Sequence, residues 1–456
     1  MPTDRVKEAA PPVNGRTLMR PWIGRWRALL DRFGYLAAAA DQIALSLFSF
    51  VLTLALLRVL TPLQFSVVTF WLAVSQLTIG LQNAAVGVPL TVFLPAMAEP
   101  REAERLEGAI ASVNLALIAV TAAAVFLIDA LADAEWAPTS VALALAIPLY
   151  LAVSLSREFQ RTTAFSRRNM AMLLAVDAPY LAVTGVCLAA MLLWPARFGG
   201  TLAAFATLSL GCVASALCVH GRGGWGAQLF RRGWTSAYKP TLRDVGWGLA
   251  GVVATNASTR GYVYVTTALS GLAALGAINA VGVLFRPIAV LSAAWGRRSL
   301  PALAASLARG EAAAVRRHVR VVAAATFAGS IAWATALWLC WLGVERYVLA
   351  AKYPDAHRLL LPWTCAAVLA QLEYVIGVGL QALREFRFLA YTQFIGGVLS
   401  IAGTAAAIWW GGYTAAMYGI AFSGAVCLAM EWIRLDRRLA SRPSPTATPN
   451  DEVSLT

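Results

Sequence analysis

Stretches of some twenty apolar residues, separated by short polar connections, recur along almost the whole of this 456-residue chain. That repetition constrains the fold more than any other feature. A bilayer core about 30 Å thick needs roughly 20 apolar residues per helical crossing, and inside it only helices or closed barrels can pair every backbone N–H and C=O. The apolar runs are continuous rather than alternating, so they predict helices. With 59% hydrophobic and only 13% charged residues, and a mean hydropathy of +0.66, the chain reads as an all-α polytopic membrane protein without a soluble catalytic domain.

The predicted crossings are 35–60, 63–95, 108–132, 138–156, 169–193, 201–219, 244–268, 274–296, 320–343, 359–383, 388–410 and 414–432. Prolines at 89, 148, 179, 287 and 362 fall inside or beside them and predict kinks. The distribution of positive charge tests the count of twelve, because Lys and Arg concentrate in loops on the cytoplasmic side. Of the 37 basic residues, thirty fall on one set of alternate connections. These include Arg101 and Arg105, then Arg157, Arg161, Arg167 and Arg168, then Arg297, Arg298 and Arg309. The other side has Arg58, Arg197, Arg346, Lys352 and Arg358, and Arg260 and Arg286 lie within crossings. A missed or additional helix would scramble this alternation. It predicts both termini on the cytoplasmic side of a bacterial inner membrane, and it accounts for the +14 net charge without nucleic acid as a partner.

The longest central connection, 220–243, divides the crossings into lobes of six, 35–219 and 244–432. Leu60-Thr61-Pro62-Leu63-Gln64-Phe65-Ser66 closes the first hairpin of one half, and Ser270-Gly271-Leu272-Ala273-Ala274-Leu275-Gly276 holds the corresponding place in the other, as a parallel repeat requires. Ahead of the first lobe, Trp22, Trp26, Leu29, Leu30 and Phe33 recur at helical spacing in a basic leader, 1–34, which reads as an interfacial amphipathic helix. After the second lobe, 433–456 reads as a cytoplasmic tail without fixed structure.

Several segments resemble a known family. Asp41-Gln42, followed after an apolar helix by Leu57-Arg58-Val59-Leu60-Thr61-Pro62-Leu63-Gln64-Phe65-Ser66, is similar to the opening pattern of the polysaccharide-transport branch of the multidrug, oligosaccharidyl-lipid and polysaccharide exporter superfamily. Thr61 and Ser66 stand where that pattern has glycine. Gln82-Asn83-Ala84-Ala85-Val86-Gly87-Val88-Pro89, Arg286-Pro287, Leu300-Pro301-Ala302-Leu303, Tyr353-Pro354-Asp355-Ala356 and Gln381-Ala382-Leu383-Arg384-Glu385 follow in the family's order. The resemblance implies two six-helix lobes forming an inverted V around a central cavity that opens alternately to either side. It also implies a polyprenyl-pyrophosphate-linked oligosaccharide as cargo, and a polysaccharide polymerase and export machinery as partners alongside membrane lipids.

A charge within the hydrocarbon costs several kcal/mol, so intramembrane ionisable residues are functional candidates. Arg260 and Arg286 are the deepest cations, and a guanidinium offers a pyrophosphate planar, bidentate donors. They are the expected substrate contacts, with Gln42, Asn83 and Gln393 as hydrogen-bonding partners for sugar. Asp41, Asp177 and Glu373 are the expected ion-coupling carboxylates. Pairing of these arginines with these acids to lock helices together is the competing reading.

Other chemistries lack their residues. The three histidines, His220, His318 and His357, lie far apart with no ligand spacing, and no phosphate-binding glycine loop is present. The six cysteines form no CxxC pair. No cofactor or metal is expected. Two rival functions share the composition: a small-molecule exporter of the multidrug type, and a membrane glycosyltransferase or polymerase. The latter needs a sizeable loop on the outer side, where the sequence offers only the short acidic turn Asp133-Ala134-Glu135.

Overall fold

The computed structural model describes residues 34–94, 97, 99–131, 140–167, 169–219, 229–230 and 233–441. The leader helix expected around Trp22–Phe33, the Asp133–Glu135 turn and most of the tail lie outside them. Every regular element among the described residues is helical. The first lobe comprises α1 (Gly34–Val59), α2 (Pro62–Gln82, prolonged by π turns at Asn83–Gly87 and Pro89–Phe93), α3 (Pro100–Leu131), α4 (Val141–Ser166), α5 (Met170–Leu193) and α6 (Thr201–Val219). The second comprises α7 (242–270), α8 (272–284, continued by Arg286–Ala308), α9 (Ala312–Leu339), α10 (Leu360–Ala382), α11 (Phe386–Gly411) and α12 (Ala416–Ala440). The two six-helix lobes form an inverted V around a central cavity.

Eleven described helices are long and apolar enough to cross a membrane, and one of them, Trp234–Leu284, runs for 51 residues. Straight, it would extend about 77 Å at 1.5 Å per residue, more than twice a bilayer core. It folds back at Gly271, whose φ of 78° and ψ of 173° are non-helical. Tyr262 therefore reaches across to donate its hydroxyl to Asn279 Oδ1 at 2.9 Å, and Val263 packs in one cluster with Leu272 and Leu275. The hairpin makes α7 and α8 separate crossings and restores the count of twelve.

The turn between α1 and α2 is built differently. Thr61 caps α2, accepting from the Gln64 N–H while the Gln64 side chain accepts from the Thr61 N–H, and Pro62 follows at the first helical position. This reciprocal cap satisfies two N–H groups that a helix start leaves unpaired. The two halves thus use a polar cap and a left-handed glycine at corresponding places.

Five expected boundaries move by two turns or more: α3 begins at Pro100 rather than 108 and α9 at Ala312 rather than 320, and three helix ends lie further on. Helix α4 runs nearly three turns beyond its predicted end at 156, so Arg157 and Arg161 are helical residues, not loop residues. Helix α8 runs on to Ala308, carrying Arg297 and Arg298 with it. Helix α12 extends to Ala440, past the expected start of the tail. The reason is common to all three: charge ends an apolar window but not a helix, and arginine is a good helix former. Within the 220–243 connection, Trp234–Tyr238 forms a short helix, and the Tyr238 hydroxyl donates to the Ala85 carbonyl in the first π turn of α2.

The lobes meet along a seam where α2 packs against the α7–α8 hairpin. The approach is so close at Gly276 that a Cβ there would lie 2.0 Å from Ser66 Oγ. At the end opposite the basic loops, the seam closes. Leu56 and Leu57 of α1, with Leu60 just beyond its end, share one apolar cluster with Leu349, Leu359 and Leu360 of the second lobe. Above it Lys352 Nζ donates to the carbonyls of Arg58 (2.5 Å) and Leu60 (2.9 Å), and Arg58 Nη1 to the Tyr347 carbonyl (3.1 Å). A cation placed on the unpaired carbonyls of a helix C-terminus is favoured by both hydrogen bonding and the helix dipole.

Gly271→Ala places a β-carbon in a backbone region that is essentially glycine's alone, at a cost of about 1–3 kcal/mol. The expected result is a lower unfolding temperature in detergent, whereas Gly246→Ala, where a Cβ meets nothing within 4 Å, leaves it unchanged or raised.

Candidate functional site: an arginine-walled cavity between the lobes

Three helices bring polar side chains to the bundle centre by the same spacing. Residues four, seven and eleven positions apart share one face of a helix. On α1 this face carries Gln42, Ser46, Ser49 and Thr53, while Leu47 and Val51 point outward and are more than half exposed, as lipid-facing side chains are. On α4 it carries Tyr150, Ser154, Arg157 and Arg161. On α8 it carries Arg286, Val290, Ala293 and Arg297.

Together with Gln76 and Ile79 of α2, Tyr180 of α5 and Cys212 of α6, these side chains, apart from Thr53 at the buried end of the α1 face, line a cavity of about 580 Å³ between the lobes. It occupies the half of the bundle nearer the basic loops, with the apolar closure described above at the other end. Arg286 stands at its depth and Arg297 toward its mouth, about 16 Å further along α8. Four arginines line this space against a single lining carboxylate, Glu158.

The arginines of the two walls differ in their partners. On α4, Arg157 pairs with Asp177 Oδ1, and Arg161 Nε donates to Asp177 Oδ2 at 2.9 Å. Arg161 also lies 3.6 Å from Asp41 Oδ2 and 3.4 Å from Glu158 Oε2. The Arg157 guanidinium stacks over the Tyr180 ring, 3.8 Å from its centroid, where the electron-rich face attracts a cation. Asp177 is 1% exposed and sits behind the two arginines. One carboxylate therefore clasps both guanidinium groups and fixes their positions on the cavity wall. On α8, Arg286 Nη1 donates to Thr53 Oγ1 at 2.8 Å, and among the described residues no carboxylate pairs with Arg286 or Arg297.

The residues expected from sequence distribute over three places. Gln42 and Arg286 line the cavity, and Asp41 and Asp177 lie behind its α4 wall. Arg260 is half-buried on α7 and Asn83 is exposed in the first π turn of α2, neither among the lining residues. Glu373 and Gln393 lie within the second lobe, where the Gln393 amide donates to Glu373 Oε1 at 2.9 Å. Beside them Thr392 donates to Glu431 Oε1 at 3.0 Å. Glu431 is 1% exposed, and its Oε2, like Gln393 Oε1, has no hydrogen-bond partner among the described residues. Arg157, Arg161, Arg297 and Glu431 were not among the expected site residues. For Arg157 and Arg161 a signal existed: they continue the spacing of Tyr150 and Ser154, and no glycine or proline interrupts 149–168.

A second cavity, about 650 Å³, lies at the basic end between α3 and the Trp234–Tyr238 helix. Arg101 and Arg105 are offset there by Glu102 and Glu104, so it has no net charge to select a ligand, in contrast to the inter-lobe cavity.

No protein-family model matches the chain, and no curated protein matches its sequence. Solved structures do. A multidrug-resistance MATE family transporter of the MOP superfamily, in an inward-facing conformation, superposes with a TM-score of 0.67 at 15% identity, over 87% of this chain and 96% of that one. The fold is that of the MOP superfamily exporters. The lipid II flippase MurJ, in an inward closed conformation, matches with a TM-score of 0.67 at 10% identity, covering 87% of both chains. An outward-facing MATE transporter of the same superfamily gives 0.54 at 14% identity, over 88% of this chain and 93% of that one.

Truncating one partner of a buried ion pair strands the other charge, a loss of about 3–5 kcal/mol. Asp177→Ala is expected to lower thermal stability by that order, and adding Arg157→Gln and Arg161→Gln should recover part of it. Additive losses in the triple variant would show that the clasp does not hold these residues together.

Proposed function

We propose that this protein is a flippase that moves a polyprenyl-pyrophosphate-linked oligosaccharide across the bacterial inner membrane by alternating access, with both termini cytoplasmic. The observation that carries the proposal is the charge of the inter-lobe cavity, where Arg286 and Arg297 lie on the α8 wall without carboxylate partners. A pyrophosphate accepts charge-assisted, bidentate hydrogen bonds from guanidinium groups. A cationic drug would meet repulsion from the same wall. The oligosaccharide would lie along the polar α1 stripe, Gln42, Ser46 and Ser49, while the polyprenyl chain stays in lipid.

The open cavity at the basic end and the closed apolar end support an inward-open resting state. So does the higher TM-score against the inward-facing MATE structure than against the outward-facing one. In this reading residues 35–219 and 244–432 are the rocking lobes and 220–243 joins them. The flipped lipid-linked unit then becomes the substrate of a polysaccharide polymerase and export machinery. No chemical step on the cargo is assigned to this chain.

Among the candidate coupling carboxylates, Asp41 and Asp177 are already compensated by Arg157 and Arg161. Glu373, hydrogen-bonded to Gln393 and close to buried Glu431, has no such cation among the described residues. A carboxylate within a membrane-spanning helix and without a counter-charge is stabilised by a proton or a metal cation, so Glu373 is our choice for ion coupling. Glu373→Gln is expected to leave flipping independent of an imposed sodium or proton gradient. Gradient-driven flux at the wild-type rate would remove Glu373 from this role.

The equal TM-scores to a multidrug transporter and to a lipid flippase keep small-molecule export as the second reading. Proteoliposomes loaded with a fluorescent undecaprenyl-pyrophosphate oligosaccharide separate the two. The expected outcome is lipid flipping that falls at least about tenfold in Arg286→Gln, for the loss of a hydrogen bond to a charged group, with no transport of a cationic dye. Dye transport without lipid flipping would move the assignment to multidrug export.

A further inference from the structure

Arg286 has two roles in the geometry, and they compete. It belongs to α8 of the second lobe and lines the cavity, yet its one hydrogen bond among the described residues crosses to the first lobe, to Thr53 Oγ1 on α1 at 2.8 Å. Thr53 is only 4% exposed. Its hydroxyl proton is committed to the Ser49 carbonyl at 2.7 Å, which leaves the oxygen as an acceptor for the guanidinium. The bond therefore ties α1 to α8 at the head of the cavity. Six residues further on, α1 ends at the apolar closure, where Lys352 and Arg58 make their interlobe hydrogen bonds. Helix α1 is thus held to the second lobe at two levels, and the lower of the two faces the cargo space.

We propose that the Arg286–Thr53 hydrogen bond is a cargo-sensitive tie between the lobes, which a phosphate group entering the cavity breaks by taking the arginine for itself. The competition is unequal. A threonine oxygen is a neutral acceptor offering one lone-pair direction to the guanidinium. A phosphate is charged and accepts two parallel N–H bonds, the stronger and more directional arrangement. Once Arg286 turns to the phosphate, α1 loses its attachment at the cavity head and only the closure at its end remains. Loading of the site and loosening of the far gate become one event, as a ligand that binds one conformation better than another requires. This inference rests on the anion-site reading proposed above.

The test uses the full-length protein in nanodiscs, with Leu60→Cys as reporter. Leu60 is fully buried in the closure, so maleimide labelling of that position, quantified by peptide mass spectrometry, reports gate opening. Inorganic pyrophosphate is the probe, and its binding is measured separately by calorimetry. Thr53→Val removes the acceptor and keeps the side-chain volume. It should raise labelling about tenfold without pyrophosphate, the equivalent of one hydrogen bond to a charged group, and added pyrophosphate should then have no further effect. Thr53→Ser, which keeps the hydroxyl, should label at the reporter protein's own rate and accelerate with pyrophosphate. If Thr53→Val does not fold, Thr53→Ala is compared with Thr53→Ser in its place. Labelling of Thr53→Val at the unmodified rate overturns the tie. Acceleration of Thr53→Val by pyrophosphate to the extent seen without the substitution overturns its cargo sensitivity. Pyrophosphate that binds but accelerates nothing overturns the inference and leaves the anion site standing. Absence of pyrophosphate binding overturns both.

Discussion

The requirement that every backbone N–H and C=O find a partner inside the protein governs this structure. Water is absent from the bilayer core, so the chain must stay helical wherever it crosses, and each departure from helix needs its own compensation. The departures are few and local. Thr61 and Gln64 cap one turn, Gly271 alone makes another, and Tyr238 satisfies a carbonyl in the π turn that bends α2. Lys352 does the same for the last carbonyls of α1. The last two also join distant parts of the chain, so the groups that repair the backbone determine as well how the lobes are held together.

The same scarcity of water sets the electrostatics. Arg157 and Arg161 are placed within α4 because that helix continues beyond its apolar stretch, and Asp177 from α5 is positioned to receive both. The α4 wall is neutralised from behind while the α8 wall is not. One compensated and one uncompensated arginine pair in the same cavity is the asymmetry on which the proposed anion site rests. In the second lobe the imbalance has the opposite sign, with half-buried Glu373 and buried Glu431 making no ion pair among the described residues. An anion site in the cavity and a cation or proton site in the second lobe would make the resting state sensitive to both cargo and gradient.

Helix existence, order and count were readable from residue pattern because twenty-residue apolar windows and the Lys/Arg alternation follow directly from bilayer thickness and charge cost. The predicted and observed starts of α5 and α6 agree to within a residue. Helix ends were readable only where an apolar window and the helix end together. At α4, α8 and α12 the helix continues through arginines, and the prediction stopped one stage early. The consequence was functional as well as geometric, since Arg157, Arg161 and Arg297 were placed in loops and thereby excluded from the site.

By itself the amino-acid sequence determined a twelve-helix membrane protein and a short set of intramembrane charges, and it set an expected orientation, because each of these follows from one-dimensional spacing against a slab of fixed thickness. Only the tertiary structure decided which charges meet. Asp177 and Arg157 are twenty residues apart, and Arg286 and Thr53 lie in different lobes. Pairing across helices depends on the rotation and register of each helix about its own axis, which hydropathy leaves undefined. The close approach at Gly276 and Ser66 and the fold-back at Gly271 set that register. Through it they separate the arginines already clasped by carboxylates from those that remain open to the cavity.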